Sequence, residues 1–287
     1  MQTPAAHPRN EDQAAFWNGA AGRHWAERQA MQDVLLAPVS SILMARAQIR
    51  AGETIIDIGC GCGATSRDLA ERVGPRGAVL GLDLSAPMLA RACELAPPAS
   101  SLRFVQADAT VYAFEPAKAD ALLSRFGVMF FADPALSFAN MRRGLRVGGR
   151  LIFACWREPR LNPWLIAPLQ EVYKFAPRLP EVGPDDPGPF AFASQERVRR
   201  ILVDAGFSDV ALTPFDVTLD VAVGMGLDNA VASALEIGPA SRALEGQPQD
   251  VRDASARAIR AMLAARQQGD SVPMGGSIWI VSAINRD

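Results

Sequence analysis

Histidine is almost missing from this chain of 287 residues: there are two, His7 and His24, both near the N-terminus. Few side chains can therefore exchange a proton near neutral pH. The four cysteines (Cys60, Cys62, Cys93, Cys155) do not form a disulfide framework, since two of them share one glycine loop. Cys60-x-Cys62 is also too tight for ordinary zinc spacing and has no second pair. A basic excess is lacking too. Twenty-nine Lys and Arg stand against 31 Asp and Glu, for a net charge of −2, which disfavours nucleic acid as a partner. No apolar run approaches the length that spans a bilayer. Residues 1–15 are polar, hold two prolines and resemble no leader, so the expected setting is the cytoplasm with reduced thiols.

What the chain does have is apolar mass, 49% of its residues, and a length ordinary for one α/β domain with insertions. Residues 1–15 read as a loose arm. Residues 12–48 have a helical pattern, broken near Gly19–Gly22 and at Pro38, with Phe16, Trp17 and Trp25 as an aromatic load. Strands are expected at 54–58, 78–83, 102–105, 119–123 and 150–156, with helices at about 65–73, 86–95 and 134–145 between them. Ser85, ahead of Pro87, is a good helix cap. Val147-Gly-Gly149 reads as a turn into the fifth strand. Such alternation predicts an α/β, Rossmann-like, doubly wound, mostly parallel sheet. Beyond it lie a proline- and aromatic-rich insert at about 157–192, a helix capped by Ser194 and a sixth strand at about 209–220. A helical insert at about 226–268 and a last strand at 277–283 complete a seven-stranded sheet. The expected division is an N-terminal helical lid over 1–49 and one domain over 50–287 carrying both inserts as caps.

Residues 54–64, Thr-Ile-Ile-Asp-Ile-Gly-Cys-Gly-Cys-Gly-Ala, concentrate the chemistry. A β-branched run ends in an acid and three alternating glycines, and a helical pattern follows at once. Open α/β sheets bind nucleotide-like ligands at such a loop. Gly59-x-Gly61-x-x-Ala64 satisfies the dinucleotide pattern, and Asp83 lies near the distance for a ribose contact, so an NAD(P)-dependent oxidoreductase is one reading. Asp57 opposes it, because a carboxylate two residues before the first glycine repels a pyrophosphate on the helix N-terminus. The same acid suits a ligand with a cationic group, such as an amine or a sulfonium.

Asp57-Ile-Gly-Cys-Gly-Cys-Gly63 resembles motif I of the class I S-adenosylmethionine-dependent methyltransferases. The likeness covers residues 50–156 well and includes Asp83-Leu-Ser-Ala-Pro-Met88, Gln106-Ala-Asp108-Ala109 and Leu145-Arg-Val-Gly-Gly-Arg-Leu151. The last of these is typical of the small-molecule, ubiquinone-biosynthesis-like group (type 11). The resemblance implies S-adenosyl-L-methionine as cofactor. Asp57, Gly59, Cys60 and Gly61 would form its cradle, and Asp83 would accept from both ribose hydroxyls. Leu84 and Met88 would border the adenine, Asp108 and Ala109 would read its edge, and Ser124 would hold the methionine part. Trp17 and Trp25 resemble lid residues of some relatives. The Asn/Asp-Pro-Pro-aromatic motif of nucleic-acid amino methyltransferases is absent after the fourth strand, where Ser124-Arg-Phe-Gly-Val-Met-Phe-Phe131 stands.

The expected reaction is methyl transfer to a small, partly hydrophobic acceptor through oxygen, nitrogen or carbon. The two inserts and the N-terminal helices would enclose an apolar chamber. A non-catalytic cofactor-binding protein remains an alternative. Methyl transfer from a sulfonium needs alignment and water exclusion more than a fixed catalytic group. His24 as a base and Arg125 as an orienter of an acidic acceptor are the catalytic candidates, Tyr112 and Tyr173 are weaker ones, and no metal is expected.

Overall fold

The computed structural model describes residues 6–98, 101–181, 183 and 186–287. Seven strands form one sheet: β1 (Thr54–Ile58), β2 (Ala78–Asp83), β3 (Leu102–Gln106), β4 (Ala119–Arg125), β5 (Leu145–Trp156), β6 (Ser208–Asp220) and β7 (Pro273–Ile284). Their order is β3-β2-β1-β4-β5-β7-β6. The first five pair in parallel, and β7 runs antiparallel to both β5 and β6. The chain moves outward one way from β1 to β3 and the other way from β4, so the carboxyl ends of β1 and β4 flank the switch point where α/β sheets bind ligands.

Local chemistry sets the helices of this half. After the glycine loop, α5 (Ala64–Val73) starts from Gly63, whose φ of 77° is the left-handed region that glycine tolerates. Ser85 caps α6 (Ala86–Leu95) through Met88 N, and Asp133 caps α7 (Pro134–Gly144) through Leu136 N at 3.1 Å. The central strands are apolar on both faces, as a sheet covered by helices on each side requires. Phe138, Phe153, Leu122 and Leu123 lie fully buried in this core.

The covers come from outside the alternating segment. Before β1 stand α1 (Glu11–Asn18), α2 (Ala20–Glu27), α3 (Gln29–Leu35) and α4 (Ala37–Ala47). After β5 come α8 (Pro163–Val172) and α9 (Gln195–Asp204). Between β6 and β7 lie α10 (Gly226–Glu236), α11 (Pro239–Leu244) and α12 (Gln249–Ala264). Helices α8, α10, α11 and α12 build a second apolar core around Val172, Val231, Leu244, Ile259, Leu263 and Met274.

Several expectations change. Residues 6–15 are no loose arm: a 3-10 turn at Pro8–Asn10 leads into α1, and Asn10 is 1% exposed (residues 1–5 lie outside the described residues). The break expected at Pro38 falls at Leu36, between α3 and α4, and Pro38 sits in the first turn of α4, where its missing N–H costs nothing. Val147–Gly149 belongs to β5 as an irregularity: Leu145 pairs with Ala119, and pairing then resumes between Arg150 and Ala121. The last strand starts at Pro273, four residues early, because the β6 ladder extends to it.

Candidate active site

A cavity of about 1000 Å³, counting its mouth, opens at the switch point. Its floor is the loop Gly59–Cys62, and one side carries Asp83, Leu84 and Met88 after β2. Ala107, Asp108 and Ala109 follow β3, and Arg125, Phe126, Gly127, Phe130 and Phe131 follow β4. Asn10, Trp17, Trp25, Asp33 and Leu36 close it from the N-terminal helices.

The floor depends on two glycines meeting. A Cβ on Gly59, whose φ is 64°, would lie 2.6 Å from Gly127 Cα. A Cβ on Gly127 would lie 2.7 Å from Gly59 Cα. The loops after β1 and β4 therefore touch backbone to backbone, closer than any other residue pair would permit. Gly61, at φ 56°, faces only the movable end of Met88 at 2.8 Å.

Four carboxylates surround this floor, each bound differently. Asp83 accepts from Gly61 N at 2.7 Å and from Ser85 N at 2.8 Å, which fixes both the acid and the loop. Burial raises its pKa against those hydrogen bonds. Asp57 is not on the wall. It is fully buried behind the loop, where Thr65 Oγ1 and Ser66 Oγ both donate to Oδ2 at 2.6 Å. Its Oδ1 has no partner, and burial pushes its pKa up to about 6. Asp33, on α3, pairs with Arg67 at 3.2 Å.

Asp108 departs most from expectation. Its carboxylate already accepts from His7 N at 2.9 Å, Thr110 N at 2.8 Å and Asn10 Nδ2 at 2.9 and 3.0 Å. Asn10 Oδ1 in turn accepts from Ala132 N at 3.0 Å. The N-terminal segment thus occupies the acceptor expected to stand free for a ligand's amine.

Two tryptophans anticipated as cover are on the wall. Trp17 makes edge contacts with Trp25 at 6.2 Å and Phe130 at 5.2 Å. Gly22 makes this possible, since any Cβ there would strike the Trp17 carbonyl oxygen at 1.9 Å. The segment is also pinned by Ser85 Oγ donating to Trp17 O at 2.7 Å and Asn18 Nδ2 donating to Leu84 O at 3.0 Å. Phe16, by contrast, is 43% exposed.

The catalytic candidates separate. His24 is exposed on α2 and does not reach the cavity. Arg125 does, and its Nη1 donates to Ser40 Oγ at 2.7 Å. Burial lowers its pKa, opposed by the nearby charges of Asp33 and Asp57. Ser124 is fully buried beneath the wall with its hydroxyl unpartnered. Tyr112 packs edge-on against Phe114, and Tyr173 accepts from Leu179 N; neither lines the cavity. Burial raises the Cys62 thiol to about 12, so it stays protonated and is no nucleophile.

Sequence reasoning missed Asn10, Asp33, Leu36, Phe130 and Phe131 as wall residues. Phe130 and Phe131 stood in the segment read after β4, but Asn10 gave no signal in a polar arm.

Residues 56–153 match the family described as "Methyltransferase domain". The nocamycin O-methyltransferase of Saccharothrix syringae is 33% identical over 46% of this chain and 49% of its own length. A ubiquinone/menaquinone biosynthesis C-methyltransferase of Pseudomonas syringae is 28% identical over 56% of this chain and 68% of its own. The chain spans half or less of the length of the first curated relatives it matches. In structure, it resembles a Haemonchus contortus phosphoethanolamine N-methyltransferase in complex with S-adenosylhomocysteine. The TM-score is 0.53 at 19% identity, over 87% of this chain and 53% of that one, which shows the shared fold. The glycine loop, the switch-point cavity and these likenesses agree: residues 56–153 match a methyltransferase domain, and the chain shares the Rossmann-like fold of solved methyltransferases.

Proposed function

We propose that this protein transfers a methyl group from S-adenosyl-L-methionine to a small, partly hydrophobic acceptor. The observation that carries the reading is the charge of the cavity. Asp33 (paired with Arg67), Asp83 and Asp108 lie on its wall and Asp57 behind it, against one wall cation among the described residues, Arg125. Such a site favours a cationic ligand and opposes a pyrophosphate, so the dinucleotide alternative loses its electrostatic basis.

The residues present fit the cofactor. Asp83, held rigid by Gly61 N and Ser85 N, offers its remaining lone pairs to a ribose diol. The unpartnered Asp57 Oδ1 leaves a buried negative charge beneath the loop, and that charge attracts the cation through the thin glycine backbone. Leu84, Met88 and Ala109 give an apolar bed for a base. Asp108, already held by Asn10 and His7 N, would fix the N-terminal segment beside that base, and the Ala109 N–H would read its edge. Arg125, in the lining, would balance the ligand's carboxylate. When bound, the cofactor supplies an electrophilic methyl on a sulfonium, and no metal or covalent intermediate is needed.

The chain's own contribution is alignment and dryness. Trp17, Trp25 and Phe130 exclude water, and the pinned segment 6–49 serves as lid over the domain that follows, with the later inserts as caps. A transfer assay with methyl-labelled cofactor and a panel of small phenols, quinols and amines tests this. Label appearing in an organic acceptor supports it. A protein that binds S-adenosylhomocysteine yet labels nothing would be a binding protein instead.

A further inference from the structure

The cavity at the switch point adjoins a cleft of about 770 Å³, with its mouth, between α4 and the start of α5. Four residues line both spaces: Asp33 on α3, Ala64 and Thr65 at the start of α5, and Arg125 at the end of β4. They mark a junction beside the last residue of the glycine loop, Gly63.

Two opposite charges meet at this junction without joining. Among the described residues, Asp33 and Arg125 form no ion pair with each other; Asp33 pairs with Arg67 at 3.2 Å instead. Gln29 Nε2 donates to the same carboxylate, and both contacts fall on Oδ2. A quarter of the Asp33 side chain, 25%, stays exposed, so Oδ1 is left for a ligand. Arg125 commits its Nη1 to Ser40 Oγ at 2.7 Å, which leaves the rest of its guanidinium fork. The two charges still act on each other. Burial lowers the Arg125 pKa, and Asp33 opposes that more than any other charge does. Arg67 also fastens Asp33 to the loop, since its Nη1 donates to Cys62 O at 3.0 Å.

This arrangement restricts the occupant. An anion alone would be drawn by Arg125 and repelled by Asp33, and a cation alone would meet the reverse. An α-amino-acid group carries an ammonium and a carboxylate on one carbon and answers both. The positive end of the α5 dipole, at Ala64 and Thr65, adds attraction for the carboxylate.

The geometry points to Asp33 and Arg125 as a two-charge clamp for an α-amino-acid group, whose ammonium donates to Asp33 Oδ1 and whose carboxylate accepts from the Arg125 guanidinium. The source of that group rests on the methyltransferase reading, which supplies the methionine tail of the cofactor; a free amino acid serving as acceptor has the same chemistry. Asp33 stands on a helix of the lid and Arg125 on the sheet, so an occupied clamp bridges the two sides of the site.

Calorimetric titration of the full chain tests it with S-adenosylhomocysteine, its decarboxylated amine and 5′-methylthioadenosine, which lacks the whole amino-acid group. The wild type should bind S-adenosylhomocysteine about a hundredfold more tightly than 5′-methylthioadenosine, the worth of two charge-assisted hydrogen bonds. Arg125→Gln should weaken S-adenosylhomocysteine about tenfold without weakening the amine, and Asp33→Asn should weaken both about tenfold. Neither variant should change binding of 5′-methylthioadenosine, which also reports that they fold. Variants that weaken 5′-methylthioadenosine as much as S-adenosylhomocysteine would overturn the clamp. So would equal wild-type affinity for those two compounds in a protein that binds no L-phenylalanine. L-Phenylalanine binding to protein saturated with S-adenosylhomocysteine, lost in Asp33→Asn, would uphold the clamp and assign it to a free amino-acid acceptor. Loss of all three adenosyl compounds, with L-phenylalanine still bound through Asp33, would strike the methyltransferase reading and leave the clamp standing.

Discussion

The parallel half of the sheet and the segments that cover it build the two sides of one cavity by different physics. On the sheet side, backbone does the work: glycines 59 and 127 touch, and Asp83 is clamped by the amides of Gly61, in the loop after β1, and Ser85. On the cover side, side chains do it, as Asn10, Trp17 and Trp25 reach in from helices that pair with no strand. A site held by backbone geometry tolerates almost no substitution. One held by side chains can be loosened in steps without losing the fold.

The contrast is broken most severely at Gly59. Gly59→Val should destabilise the protein by about 4 kcal/mol, since it adds strain at a positive φ to overlap with the Gly127 backbone. Denaturant unfolding measures this, and a loss under about 1 kcal/mol would mean the loops do not touch. Gly61→Val should cost less stability, because only the end of Met88 must move, and should act chiefly on ligand binding.

On the cover side, Asn10→Leu removes three donor contacts, to the two Asp108 oxygens and to Thr110 Oγ1. A loss of about 3 kcal/mol is expected, mostly from the buried carboxylate left short of partners. Hydrogen exchange of residues 6–30 should rise in this variant while that of β1 and β4 stays slow. Equal protection in both regions would deny the segment its separate character.

Asp57 gives a pH test of the sheet side. Its folded pKa, about 6, lies above the ordinary value of 3.8. The native state therefore holds its proton to higher pH than the unfolded chain does. Its contribution is most favourable below pH 4 and is lost as pH rises through 6. Relative to Asp57→Asn, the wild type should lose about 2–3 kcal/mol between pH 4 and pH 7, with the change confined to that window. A flat difference would mean that Asp57 is solvated or paired. Bound S-adenosylhomocysteine should lower this pKa by placing an ammonium near the loop.

His24→Ala should do least, changing stability by under about 0.5 kcal/mol and leaving methyl transfer intact, because the ring is exposed and outside the cavity. A large loss of turnover would return it to the site.

The same contrast explains what could be read from the sequence. The run Thr54–Gly63 and the acids after it announced strand, loop and ligand class, because glycine spacing and strand alternation are local properties. Residues 6–15 misled for the opposite reason. Nothing local distinguishes Asn10 from any polar residue in an arm, and its burial depends on Asp108 and Ala132, about a hundred residues away. Ser85 was legible as a cap but not as the donor that holds Trp17. Asp108 was read at the right place, yet the residue that saturates it lay in the segment taken for loose. The bulge at Val147–Gly149 looked like a turn because β7, which extends the sheet beside it, comes over a hundred residues later.

Titration of S-adenosylhomocysteine into the wild type and into Asp83→Ala, with NAD as competitor, addresses the anionic cavity itself. The wild type should bind S-adenosylhomocysteine and ignore NAD. Asp83→Ala should bind about 2–3 kcal/mol more weakly, for want of the charged acceptor that a ribose diol requires. Tight binding of NAD by the wild type, or unchanged affinity for S-adenosylhomocysteine in a folded Asp83→Ala, would contradict the assignment of this cavity.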